Sequence, residues 1–130
     1  MNMQFLVLLI FITGCQLIIE PKDFSRSVPG IYTRYSEHAF GIEYDTLVIE
    51  VKNKEDQYFT VERRWEYQRV LDGKNLIPDY KIIKNTGKYF PEHNELMVNE
   101  TGECYYINFQ QKTILTRSIQ YQKLCFTKRY

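Results

Sequence analysis

The sequence predicts an all-β protein: a single antiparallel meander of about seven or eight short strands, forming a small barrel or half-barrel behind an N-terminal signal segment. Three observations lead there. Aromatic residues make up 15% of the 130 positions, with 11 Tyr and 8 Phe, and flat rings pack well on pleated surfaces. Several segments alternate with a period of two, the longest being Tyr58 to Val70. Turn formers such as Pro29-Gly30 and Asp72-Gly73 fall between them.

Taken in order, Gly30 to Ser36 reads as a first strand after the Pro-Gly turn. Asp45 to Val51 places Leu47, Ile49 and Val51 on one face. Asn53 to Asp56 is a polar turn. In Tyr58 to Val70, one side carries Phe59, Val61, Arg63, Trp65, Tyr67 and Arg69; the other carries Glu62, Arg64 and Glu66 as a solvated face. Asp-Gly at 72–73 is a strong turn dipeptide, followed by a connection through Pro78 that is long for a tight hairpin. Strands are expected from Tyr80 to Lys84 and around Gly87 to Phe90, with a turn at Pro91 to Asn94. Further strands cover Glu95 to Asn99, Cys104 to Phe109 and Thr113 to Leu124. The last would put Leu115, Arg117, Ile119 and Tyr121 on one face. No helix is expected beyond the leader. Closing such a meander removes the edges that invite aggregation. The opening PGIY and closing YQKL, within a span of about 28–124, resemble small bacterial lipoprotein domains with a lipocalin-like half-barrel. The same pattern resembles small lipoproteins of Bacteroidota mobile elements. Both resemblances imply a fold.

Phe5 to Ile12 reads FLVLLIFI, eight apolar residues. A membrane-spanning helix needs roughly 20, whereas the apolar part of a signal peptide runs about 7–15. The run ends in Ile12-Thr13-Gly14-Cys15, which resembles the lipobox of bacterial lipoproteins. The resemblance implies cleavage before Cys15 and a lipid on its thiol, so that the protein's first partner is the membrane. Unlike most signal peptides, the leader MNMQ has no Lys or Arg. A buried N-terminal strand with an ordinary Cys and an uncleaved anchor are the competing readings. Residues 1–14 are then signal peptide, 15–28 a lipidated tether, 29–124 the β-domain and 125–130 a tail. Under the sorting rule of enteric lipoproteins, Gln16, in place of the Asp that favours inner-membrane retention, implies the outer membrane. The absence of an acidic cluster after Cys15 points to its periplasmic face.

Cys104 and Cys125 form an even pair in an exported chain and are a candidate disulfide, worth about 3 kcal/mol by loop closure. A tight turn near Gln111 would instead place Cys104 opposite Ile119 and leave two separate thiols. Arg63, Arg69 and Arg117 share the phase of apolar neighbours. Either they grip an acidic ligand with Trp65 and Tyr67 beside them, or their stems pack at the barrel mouth while their heads stay wet. His38 and His93 fall in loops without metal-ligand spacing. Ser25, Ser27, Ser36 and Ser118 lack a nucleophile context, and Asp72 with Asp79 shows no acid–base pattern. Asn99-Glu100-Thr101 matches a glycosylation triplet, and Asp45-Thr46-Leu47 a loose one. No cofactor, metal or catalytic site is expected. A net charge of +1, from 17 basic against 16 acidic residues, argues against a protein built mainly to hold nucleic acid.

Three functions remain. The first is a non-enzymatic, lipid-anchored binding or assembly module of the envelope, an accessory of a conjugation or secretion apparatus, using tyrosines such as Tyr32, Tyr35, Tyr105 and Tyr106 as anchors. The second is a carrier of a small apolar or acidic ligand. The third is an envelope inhibitor or immunity-type protein. An exposed aromatic patch, a lined cavity and a protruding loop such as Asp72 to Asp79 would respectively favour each.

Overall fold

A computed structural model describes residues 24–117 and 119–125 of the chain. Cys15, Ser118 and the last five residues lie outside them. The described residues form one short helix, α1 (Phe24–Ser27), and nine strands: β1 (Gly30–His38), β2 (Gly41–Asn53), β3 (Tyr58–Leu71), β4 (Lys74–Asn75), β5 (Asp79–Phe90), β6 (Glu95–Val98), β7 (Cys104–Asn108), β8 (Thr113–Thr116) and β9 (Ile119–Lys123). Apart from β4, a short hairpin arm on β3, each strand pairs antiparallel with the next. β9 returns to β1 through Tyr32↔Lys123 and Thr33↔Gln122. The expected meander therefore closes into an eight-stranded barrel.

The ring is uneven. β6 to β9 have four or five residues each, whereas β2, β3 and β5 have 13, 14 and 12. β6 meets β5 only at Gly87–Phe90, and β9 meets β1 only at its lower end. Above that level β1, β2, β3 and β5 continue alone as a four-stranded wing.

The closed part holds the core. Leu47, Ile49, Phe59, Val61, Leu96, Val98, Ile107 and Ile114 point inward with Tyr32, Tyr89, Tyr105 and Tyr121, all at most 5% exposed. An eight-stranded barrel has an interior that side chains just fill, and these rings fill it. The lower mouth is closed by α1. Phe24 lies 4.9 Å from the Tyr89 ring and 6.1 Å from Phe109, and Val28 is fully buried, its carbonyl accepting the Tyr32 hydroxyl. The segment 24–28 is thus a plug, which corrects the reading of 15–28 as tether throughout and adds a helical turn that was not expected. Two side chains suffice to cover the apolar end, so no periodicity advertises them.

Most strands lie where the alternation puts them, and 80–84 with 87–90 fuse into β5. Asp72 and Gly73 both take positive φ (51° and 73°) and close a two-residue hairpin between Leu71 and Lys74, as Asp-Gly favours. The strand expected over Thr113 to Leu124 is wrong. It breaks into β8 and β9 at Arg117, which takes φ 51° although nothing in its chemistry announces a turn. A two-residue turn inverts the alternation of the strand after it. Ile114, Thr116 and Tyr121 are therefore buried, Ile119 packs against the core, and Leu115 is 44% exposed. Arg117 leaves the inward phase and sits on the turn.

Candidate functional site

Where the short strands stop, the barrel interior turns from apolar to charged. The side chains there come from the inward phase of β1, β2 and β3. Asp45 is fully buried. Arg63 donates to it three times, from Nε at 3.0 and 3.1 Å and from Nη2 at 2.6 Å, and the Tyr121 hydroxyl donates to Asp45 Oδ2 at 2.8 Å. Fork-to-carboxylate bonding of this kind is charge-assisted and directional. Hydrogen bonding to Asp45 pushes the Arg63 pKa up, and burial, then the Asp45 charge, pushes the Tyr121 hydroxyl up. The Arg63 side chain keeps 31% of its surface in water.

One rung higher a second network repeats the pattern. Arg34 Nη2 lies 2.9 Å from Glu43, which also accepts the Trp65 indole N–H at 2.7 Å. The Arg34 Nε is buried and meets no hydrogen-bond acceptor among the described residues. Trp65 stacks on Tyr67 (5.7 Å, 15°), and Tyr67 on His38 (6.1 Å, 26°). Tyr67 also covers Gly41, where a Cβ would come within 2.5 Å of the Gln68 carbonyl and 2.9 Å of the Tyr67 ring. Only glycine fits there. On the opposite rim, Glu103 accepts from the Thr116 hydroxyl at 3.0 Å and from the Tyr105 hydroxyl at 3.3 Å.

Of the candidate ligand residues, Arg63, Trp65 and Tyr67 are thus brought together on the concave face. Arg63 has the carboxylate partner that an inward guanidinium needs, since Asp45 within the chain takes its charge, and part of its head stays wet. Arg69 shares the phase but lies beyond the barrel, 64% exposed and 3.6 Å from Asp79. Arg117 stands apart on its turn and lines only the edge of an open cavity of about 540 Å³ at the mouth, with Arg63, Glu103, Cys104, Tyr106 and Thr116. A smaller slot of about 220 Å³ opens between Arg63, Trp65, Lys81 and Ile83.

The candidate disulfide is absent. Cys104 and Cys125 are free thiols, the first against the Gly102 carbonyl and the second against Lys112 Nζ. Register is the reason: Cys104 faces Met97 of β6, while Cys125 follows the end of β9. A hydrogen bond to Glu95 and burial push the Cys104 thiol up, away from reactivity. Tyr32 and Tyr105 are core residues, and of the expected anchors only Tyr35 and Tyr106 are exposed, at 52% and 48%.

The outer face of the wing carries what the interior does not need. Tyr35 and Tyr44, cross-strand partners with rings 5.0 Å apart, are exposed, as are Tyr80 and Ile82. At its far end Phe40 (75% exposed), Leu71, Leu76 and Ile77 (91%) cluster on two turns joined by a bond from Val70 N–H to the Phe40 carbonyl. Sequence reasoning missed Asp45, Glu43 and Arg34. Asp45 could have been found, since it sits in phase with Leu47 and Ile49. Comparison with protein-family models, with curated proteins and with solved structures returned no match.

Proposed function

We propose that this chain is a lipid-anchored, non-enzymatic binding module of the cell envelope, held through Cys15 on the periplasmic face of the outer membrane and gripping a protein partner with its wing. A conjugation or secretion apparatus is the assembly that such an accessory would serve. The observation that carries this reading is the placement of exposed apolar side chains. Phe40, Leu71, Leu76 and Ile77 sit at the end of the wing, whereas the chain joins the barrel at the plugged end. β1 runs between the two ends over nine residues, which at ~3.3 Å each separates them by about 30 Å. An anchor at one end and a sticky tip at the other suit a tethered module, because isolated apolar side chains are common on surfaces but clusters mark contacts.

The carrier reading has less support, since rings fill the barrel and the described cavities lie at its ends and on its outside. The inhibitor reading shares the tip, because the whole stretch 72–79 is exposed; the partner's identity separates the two. The test is site-specific photocrosslinking in the full chain extracted from membranes. A photoreactive residue at Ile77 should give a discrete adduct that Phe40→Ser and Leu76→Ser each remove, while the same probe at Glu55, in the turn at the other end, gives none. Intact mass beside Cys15→Ala should show acyl chains lost. Equal labelling at 55 and 77, or an unmodified mass in both proteins, would overturn the reading.

A further inference from the structure

The wing has an unpaired edge along β5. Thr86 donates its N–H to the Glu100 carboxylate at 3.1 Å, and its carbonyl accepts the Asn99 N–H at 2.9 Å, both on the side away from β3. Tyr89 N–H instead bonds the Gln57 carbonyl, on the β3 side. Backbone groups alternate in direction along a strand, so Lys84, Ile82 and Tyr80 also point theirs away from β3. β6 begins to pair only at Gly87, and no described residue hydrogen-bonds these three. Together they present a row of donors and acceptors ready to template another strand.

Two features beside this edge select what could pair with it. The first is charge. Lys81 has no ion pair among the described residues, and Lys84 is 77% exposed with Glu62 at 4.0 Å. Asp79, the one acidic residue on this stretch, is turned to Arg69. Lysines on an edge repel basic strands and a second copy of themselves, and a neutral strand would strip water from their charge without matching it. An acidic strand removes that penalty. The second is the slot of about 220 Å³ on the concave face, between the rungs Arg63↔Ile83 and Trp65↔Lys81. Edge protection gives no reason for it. Trp65, held by Glu43 and Tyr67, lines it together with Ile83. Side chains of an added strand alternate between faces, so every second one would lean over the concave face and one of them over this slot.

We infer that the open edge of β5, at Tyr80, Ile82 and Lys84, takes an extended acidic peptide of the partner as an added strand, with an apolar side chain in the Trp65–Ile83 slot. This rests on the reading of the wing as a partner-binding surface and names the partner's chemistry. Main-chain bonds would supply affinity and the slot specificity, the usual division in strand addition.

The test uses the full chain and a fluorescein-labelled peptide as long as the open edge, alternating glutamate with valine and phenylalanine, read by anisotropy. Saturable binding is expected, at least tenfold weaker for a lysine-for-glutamate peptide and for one N-methylated at every second amide. Ile82→Pro should abolish binding yet leave the melting temperature nearly unchanged, because the N–H it removes faces no partner and proline is tolerated on edges. Lys81→Pro, whose N–H faces β3, should instead lower that temperature. Lys84→Glu, on the face that the peptide's glutamates share, should weaken binding by roughly fivefold, and Lys81→Glu, on the face of the slot, by less. Equal binding of the N-methylated peptide, unchanged binding by a folded Ile82→Pro chain, or no saturable binding of the acidic peptide would overturn the inference. If Ile82→Pro kept the Ile77 crosslink that Phe40→Ser removes, the edge would fail and the binding-module reading would stand.

Discussion

The closed barrel and the wing are built from the same strands and solve opposite problems. Below, eight strands meet around a core in which Tyr32, Phe59, Tyr89 and Tyr121 are all at most 1% exposed. Above, only four continue, and their inner face carries Arg34, Glu43 and Arg63 in ion pairs, with Asp45 at the boundary still facing Tyr121, while apolar residues move to the outer face and tip. The alternation is unbroken along β3 from one region to the other. The difference lies in the presence of an opposite wall. A side chain facing a wall must be apolar or fully bonded; one facing open space need be neither. Strand length in β6 to β9, four or five residues each, therefore decides which half of β3 is core and which is surface.

The contrast can be broken by substitution, beginning with the largest effect. Phe59→Ala and Leu47→Ala, both in the filled barrel, should each destabilise by about 3–5 kcal/mol in urea unfolding, as large-to-small changes do in packed cores. A loss near 1 kcal/mol would mean that the interior is loose and the carrier reading regains its cavity. Asp45→Ala, at the boundary, strands Arg63 and the Tyr121 hydroxyl. A fully buried pair so broken costs about 3–5 kcal/mol; with a third of Arg63 in water, about 2–3 is expected. Its counterpart on the wing is Arg69→Ala. That pair is 3.6 Å apart and mostly exposed, so the expected change is below about 1 kcal/mol, and equal losses at the two sites would erase the distinction between regions.

Alkali offers a gentler probe of the same boundary. Burial raises the pKa of Tyr32, Tyr105 and Tyr121, and of Tyr89 to about 12, from an ordinary 10.0. Above pH 10 the unfolded chain loses these protons while the folded one retains them. The folded state then binds more protons, so stability falls as pH rises. It should be intact below pH 10 and decline toward pH 12, seen as a falling melting temperature. Phe59→Ala should lower the whole curve without removing the slope. The smallest effect belongs to the tip: Ile77→Ser should change stability by no more than about 0.5 kcal/mol while removing the partner adduct.

Local features were legible along the chain. Period two in Tyr58 to Val70 gave β3 and its inward phase, and Asp72-Gly73 gave a hairpin whose positive φ angles those residues tolerate. Four of the five residues carrying the candidate ligand role were placed by that phase, and three of them, Arg63, Trp65 and Tyr67, lie together on the concave face; Arg69 stands beyond the barrel, and Arg117, placed by the alternation expected over Thr113 to Leu124, sits on a turn. The tertiary structure decided which wall each residue meets. Asp45 reaches Arg63 across 18 positions and Tyr121 across 76, and no local pattern encodes such a meeting. Arg117 shows the other limit. A turn there with no glycine or asparagine inverts the phase of β9, and only pairing with β8 and β1 reveals it. Alternation is a property of neighbours along one strand. Closure, register and the height at which a barrel opens depend on strands far apart in the chain, and those arrive only when the whole sheet forms.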